Sequence, residues 1–203
     1  MFKQKKTPVK ISQLKRVESY MRKHVGVGES FDVDVRKILV LETRIHLYYV
    51  NGLVDTPVVV ELLKSLVDIN DNEVEKNKVV DIVRNRVVHQ QLEETDDLND
   101  AITKMLSGLI IIFIEGYDQV MIVDVRSYPG RQPEEPDTER VIRGSRDGYT
   151  ENIILNTALT RRRVRDPRLR NEIIQVGERS KTDICISYIK DLADPEIVNI
   201  IKK

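Results

Sequence analysis

Two apolar runs, residues 109–114 (L-I-I-I-F-I) and 120–125 (V-M-I-V-D-V, broken only by Asp124), limit the architecture more than any other feature of this 203-residue chain. Each has strand length and little alternation, which suits central strands buried on both faces, and the turn 115–118 between them makes a hairpin. A sheet of this kind needs helices packed on it. The preceding residues supply them. Residues 31–41 (F-D-V-D-V-R-K-I-L-V-L) alternate like a half-buried strand, and residues 45–50 form a second strand closed by Asn51-Gly52. Asp32 and Asp34 lie two apart on its polar side, where solvated acids are expected, and no third ligand stands near them.

Thr56 is expected as the N-cap of a helix with Pro57 at its first position, and Val58, Leu62 and Leu66 mark its apolar face. After the polar break 70–72, Val79, Val83 and Val87 recur at helical spacing, with Val80 and Val88 beside them. A third helix covers 98–106 and ends at Ser107-Gly108. The order to this point is β-β-α-α-α-β-β. Beyond a proline- and glycine-rich stretch come a helix over 150–163, strands over 169–176 and 182–189 joined by 177–180, and a last helix with Asp194 as N-cap and Pro195 at its first position. The fold class is therefore α+β (mixed α/β), two small subdomains, each a small mixed sheet packed with helices. The boundaries are a basic N-terminal segment 1–24, a first subdomain 25–128, a linker 129–148 and a second subdomain 149–203.

Residues 1–24 hold eight lysines and arginines against Glu18 alone, and Leu14, Val17 and Met21 allow a short amphipathic helix over 12–24. A basic arm on nucleic acid or lipid and a solvated terminal helix are both compatible with this, and the frequent mobility of termini favours the second. Formal net charge is zero, so charge as a whole points to neither nucleic acid nor an anionic membrane. The single cysteine, Cys185, excludes an intramolecular disulfide framework and, flanked by Ile184 and Ile186, reads as a core strand residue. No apolar run approaches the ~20 residues of a membrane helix, no signal peptide is visible, and a soluble chain is expected. The last helix is still apolar at Ile197, Ile200 and Ile201, without a stop signal before Lys202-Lys203, so a longer parent protein is expected.

Chemistry-bearing motifs are scarce. His24, His46 and His89 do not have metal-site spacing, and His46 reads as an ordinary sheet residue. The Gly177–Thr182 segment lacks the strand–loop–helix setting of a phosphate loop. No catalytic residue, metal site or cofactor is expected. The one dense basic patch is Arg161, Arg162, Arg163, Arg165, Arg168 and Arg170. It lacks interleaved aromatics for stacking on bases and sits at a helix end, which favours arginine through the macrodipole. Glu134, Glu135, Asp137, Glu139, Glu151 and Glu172 are its candidate carboxylate partners, so an ion-pair network is favoured over nucleic acid.

A long ordered string carries a resemblance. Pro129-Gly-Arg131-Gln-Pro-Glu-Glu135-Pro136 leads into Glu139-Arg140-Val-Ile-Arg143-Gly144-Ser-Arg146-Asp-Gly148-Tyr-Thr150-Glu151, then Asn156-Thr157-Ala-Leu159-Thr-Arg161-Arg162-Arg163. Residues 177–182 and Tyr188-Ile189 continue it. This resembles the N-terminal soluble domain of the A subunit of GerA-family spore germinant receptors. Ser145 and Asp147 depart from the family pattern, where proline and glutamate are common.

The resemblance implies a non-enzymatic domain in a multi-subunit, nutrient-responsive receptor of the spore inner membrane. The domain would lie on the cytoplasmic (core) side, ahead of a multi-spanning region. Its partners would be the B and C subunits and further A copies, forming a nutrient-gated ion channel in spore germination. Nutrient recognition in the family is usually assigned to the B subunit. The expected functional surface or inter-subdomain network is Arg131, Glu135, Pro136, Glu139, Arg143, Gly144, Arg146, Gly148, Glu151, Asn156, Arg161, Arg162 and Arg163. Two roles follow: assembly and signal relay, or binding of a small germinant in the inter-subdomain cleft.

Overall fold

A computed structural model describes residues 9–68, 79–87, 91–128 and 148–203. A five-stranded sheet occupies the first part, in the order β1-β2-β4-β5-β3. Its strands are β1 (Val33–Val40), β2 (Thr43–Val50), β3 (Leu92–Thr95), β4 (Ile110–Ile114) and β5 (Val120–Val123). Every residue of β4 and β5 is buried, as their uninterrupted apolar runs demand. One face of the sheet packs on α1 (Leu14–Tyr20) and α4 (Leu98–Leu106) through Leu14, Val17, Ile102 and Met105. The other packs on α2 (Thr56–Val67) and α3 (Val79–Arg86) through Leu62, Leu66 and Val83. Sequence alternation assigns the faces of β2: Tyr48 and Val50 point to the first layer, Ile45, Leu47 and Tyr49 to the second. Each fully buried aliphatic side chain contributes about 1.5–3 kcal/mol relative to exposure.

The second sheet is the hairpin β6 (Leu169–Val176) and β7 (Thr182–Ile189), with all eight residue pairs in antiparallel register from Leu169 opposite Ile189 to Val176 opposite Thr182. It is approached by α5 (Ile153–Arg163) and followed by α6 (Pro195–Ile201), whose Val198 is buried. Ala158 of α5 reaches back into the first core, close to Gly52 at φ +82, where an added Cβ would lie 2.9 Å from the Ala158 Cβ.

The α+β class holds, and within both sheets every described strand pair is antiparallel rather than mixed in direction. Several local expectations are corrected. β3 was not expected; it has only four residues, two of them glutamates, and gains its place by pairing with β5. Asp55, not Thr56, caps α2, its carboxylate accepting from the Val58 N–H at 3.2 Å. The basic first helix starts at Leu14 and is not α-helical throughout: α1 ends at Tyr20 and continues as a π-helical turn, Met21–Val25, closed by Gly26 in the left-handed region. Nor is it a solvated terminal helix, since Leu14, Val17 and Met21 are buried in the first core. Cys185 is half-buried on the hairpin rather than in a core. Asp194 does cap α6, accepting from the Glu196 N–H at 2.8 Å. The break 70–72, Val88, His89 and the segment 129–147, with Arg131, Glu135, Pro136, Glu139, Arg143, Gly144 and Arg146, lie outside the described residues.

Candidate functional site: a buried arginine clasp

The turn between the π-helical segment and β1 is built to present polar groups. Gly26 and Gly28 both sit at positive φ, +88° and +85°, a region costly for other residues. The Glu29 and Ser30 N–H groups return to the Gly26 carbonyl at 2.9 and 2.8 Å. This folding brings Glu29, Ser30 and Asp32 against the root of β6. The Phe31 N–H donates to the Asn171 carbonyl at 3.0 Å, extending the hairpin's ladder towards the first sheet.

Arg161, in the last turn of α5, points its guanidinium into this turn. Its Nε donates to Asp32 Oδ2 at 2.8 Å and its Nη2 to Asp32 Oδ1 at 3.2 Å, a two-point fork. Both side chains are 0% exposed. The remaining donors reach the Asp166 and Leu169 carbonyls, each at 3.1 Å, and Ser30 Oγ at 3.4 Å. Ser30 Oγ in turn donates to Asp32 Oδ1 at 2.5 Å and accepts from the Asn171 N–H at 2.9 Å. Asp32 is therefore no solvated acid of an open strand face. It is a buried counter-ion 129 residues away in sequence from its arginine.

A second clasp lies beside the first. Arg170, 1% exposed, donates from Nε to Glu29 at 2.8 Å and from Nη1 to the carbonyls of Val25, Pro167 and Leu169. Lys190, just past β7, donates to both Glu29 oxygens at 2.7 and 2.8 Å. Burial pushes the Glu29 carboxyl up, but the hydrogen bonds from Lys190 and Arg170 outweigh it, leaving it below its ordinary value of 4.5. Asp166 is held below its ordinary value by the hydrogen bond from Arg168. The folded protein thus binds these protons less tightly than the unfolded chain does. Their contribution to stability is complete above about pH 4.5 and is lost as pH falls through the lower folded-state values. Acid unfolding of the wild type should therefore begin at a higher pH than that of Glu29→Gln relative to each protein's own neutral-pH stability, a comparison that equilibrium denaturation at stepped pH reads directly.

The other expected residues divide. Asn156 pins the approach to α5, accepting from the Thr150 N–H and donating to the Thr150 carbonyl, both at 2.7 Å. The Arg162 guanidinium stacks over the Tyr128 ring, 4.6 Å from its centroid. Arg163 is exposed at the end of α5, and Gly148 and Glu151 are exposed before it. Glu172 serves α6 instead of the arginines, pairing with Lys202 at 2.6 Å and accepting from Tyr188. Arg168 pairs with Asp166 and Asp191. Among the described residues Arg161 and Arg170 pair with Asp32 and Glu29, acids from the first part of the chain and not those expected from the neighbouring sequence. His46 is buried beside Tyr48, and burial lowers its pKa. Among the described residues, no group of three His, Cys, Asp or Glu is placed to hold a metal ion, and no helix is long and apolar enough to cross a membrane.

Between the two parts lies an open cleft of about 580 Å³, lined by Tyr20, His24, Asn99, Thr103, Asp166 and Arg168 among others. Together these features define a scaffold of two sheets joined through buried arginine–carboxylate pairs. The chain belongs to the GerA family: the family model described as Bacillus/Clostridium GerA spore germination protein matches residues 19–203.

Stage V sporulation protein AF of Bacillus subtilis (strain 168) is 52% identical over 186 residues, 92% of this chain and 38% of that protein. Spore germination protein KA of the same organism is 28% identical over 183 residues, 87% of this chain and 33% of that protein. The chain therefore spans about a third to two-fifths of these relatives. The crystal structure of the N-terminal domain of the A subunit of the Bacillus megaterium spore germinant receptor GerK3 superimposes with a TM-score of 0.74 at 22% identity, covering 98% of this chain and 72% of that one. It has the same fold.

Proposed function

We propose that this chain is the N-terminal domain of a GerA-family A-type subunit, acting in assembly and in relaying a nutrient signal to a membrane ion channel during germination. It works at the spore inner membrane, on the core side, with B and C subunits and further A copies as partners. The boundary between its subdomains falls at 129–148. The carrying observation is the fully buried Arg161–Asp32 pair joining the two parts. Such a pair tolerates few intermediate arrangements, because a separated buried charge is costly. Two discrete orientations of the parts can then be biased by events elsewhere in the receptor. The 52% identity to stage V sporulation protein AF, against 28% to spore germination protein KA, favours a subunit of the stage V kind within this family.

The test uses the full-length protein in spores. Glu29→Gln alters the acid of the second clasp and Arg162→Ala removes the stack on Tyr128. A bias of about 1–2 kcal/mol corresponds to a change in germination rate of roughly 5–30-fold at unchanged protein abundance. Normal germination of both variants at normal abundance would remove the relay reading.

The cleft supports a second reading, a small germinant held between the parts, since pockets of this size suit small molecules. Chemical-shift mapping of this chain against amino acids and sugars separates the two. Shifts confined to Tyr20, His24 and Thr103 favour binding, and silence at millimolar ligand favours relay.

A further inference from the structure

The cleft and the clasps share a wall. Val25, Asp166 and Pro167 line the cleft, and the carbonyl of each accepts from a buried arginine. The Val25 and Pro167 carbonyls take Arg170 Nη1 at 3.1 and 2.8 Å, and the Asp166 carbonyl takes Arg161 Nη1 at 3.1 Å. Val25 ends the π-helical segment of the first part, whereas Asp166 and Pro167 precede β6, so Arg170 Nη1 bridges the two walls. That nitrogen carries two hydrogens and already serves a third carbonyl, that of Leu169 at 3.1 Å. It cannot follow both walls if they part. The segment from Asp166 to Leu169 is also stiff. Pro167 fixes its own φ, and the Leu169 N–H closes the turn on the Asp166 carbonyl at 3.1 Å. A push on Pro167 or Arg168 is therefore passed to the carbonyls that hold both arginines.

We propose that the cleft is the control site of the two clasps. A molecule held between the Tyr20–His24 ring pair and the turn at Asp166 to Leu169 spreads Val25 from Pro167. Arg170 then gives up an acceptor, and the displaced turn draws the Asp166 carbonyl away from Arg161. Losing acceptors is costly for side chains that are 1% and 0% exposed, so tight clasps and a filled cleft oppose each other. Coupling of this kind runs both ways: loosened clasps widen the cleft and admit its occupant more readily. The wall also limits what fits. Asp166 and Arg168 are spent on each other at 2.6 Å, and Arg168 pairs with Asp191 as well. What remains is the Tyr20 and His24 rings, 4.4 Å between centroids, with Asn99 and Thr103 one helical turn apart on α4. The occupant is thus a small molecule with a planar or apolar body and uncharged hydrogen-bonding groups.

This rests on the clasp reading above and names what regulates it, and its test needs neither a germinant nor a spore. In a Cys185→Ser background, Thr103→Cys places a single thiol at an exposed position of the cleft wall. Asn99→Cys, on the same wall, serves if that variant folds poorly. Benzyl methanethiosulfonate attaches a bulky group to the thiol, and methyl methanethiosulfonate a small one. The benzyl adduct should shift the nuclear magnetic resonance signals of the Arg161 and Arg170 Nε–H groups and speed their hydrogen exchange about tenfold. The methyl adduct should do neither. The same benzyl group on Glu178→Cys, in the exposed hairpin loop, should leave both signals in place. In the reverse direction, Glu29→Gln weakens the anchor of Arg170 without touching the cleft wall. It should raise the ratio of benzyl to methyl reaction rates at the introduced thiol about fivefold. A benzyl adduct that leaves both guanidinium signals unmoved, or a rate ratio indifferent to Glu29→Gln, overturns the proposal. The relay reading survives either result, because the spore assay addresses it separately.

Discussion

Replacing Asp32 with alanine is expected to lower the unfolding free energy by about 3–5 kcal/mol, the range for breaking a buried ion pair from one side. The magnitude comes from what is left behind. The Arg161 side chain is 0% exposed, and its carbonyl contacts at Asp166 and Leu169 and the hydroxyl of Ser30 supply no negative charge to balance the guanidinium. Ser30 Oγ loses its acceptor as well. Urea denaturation followed by circular dichroism measures the loss as a shift in midpoint at unchanged slope. The double variant Asp32→Leu with Arg161→Met should recover most of it, because apolar replacement of both partners leaves no charge stranded. If the alanine variant loses less than about 1 kcal/mol, the pair is not the tight, water-free contact described, and the relay reading loses its support. If the double variant is stable but fails to support germination, the pair acts through orientation rather than stability.

That prediction could not have been drawn from the sequence. The sheet was legible because residues 109–114 are apolar throughout and 120–125 are apolar but for Asp124, and period-2 or period-3.6 spacing is a local property. The hairpin 169–176 with 182–189 was legible for the same reason, down to its ends. The strand Leu92–Thr95 was not, since two glutamates in four residues carry no strand signal and its place depends on the distant β5. The site was half legible. Six arginines within ten residues announce a need for carboxylates, but nothing local says which. Nearby acids seemed sufficient, whereas Asp32 and Glu29 come from 129 and 141 residues away. A usable signal existed in the turn itself: Gly26 and Gly28 followed by Glu29, Ser30 and Asp32 is a shaped segment with more polar groups than a strand entry requires.

Gly26→Ala should cost more than Gly28→Ala, and the difference isolates the second clasp. Both glycines sit at nearly the same backbone angle, φ +88° and +85°, so each substitution incurs the same left-handed cost of about 1–2 kcal/mol. At Gly28 an added Cβ meets nothing within 4 Å. At Gly26 it would lie 2.5 Å from both Cζ and Nε of Arg170. A flexible arginine on the surface would swing aside at little cost. This one is 1% exposed and tied to Glu29 and three backbone carbonyls, so moving it strands a buried charge and its partners. The expected loss for Gly26→Ala is therefore about 3–5 kcal/mol in all, about 2–3 kcal/mol beyond Gly28→Ala. A double-mutant cycle provides the check. In an Arg170→Ala background the obstruction is gone, and Gly26→Ala should fall to the cost of Gly28→Ala. Equal losses for the two glycine variants in the wild-type background would mean that Arg170 yields freely, and that Glu29 and Lys190 hold the hairpin root without it.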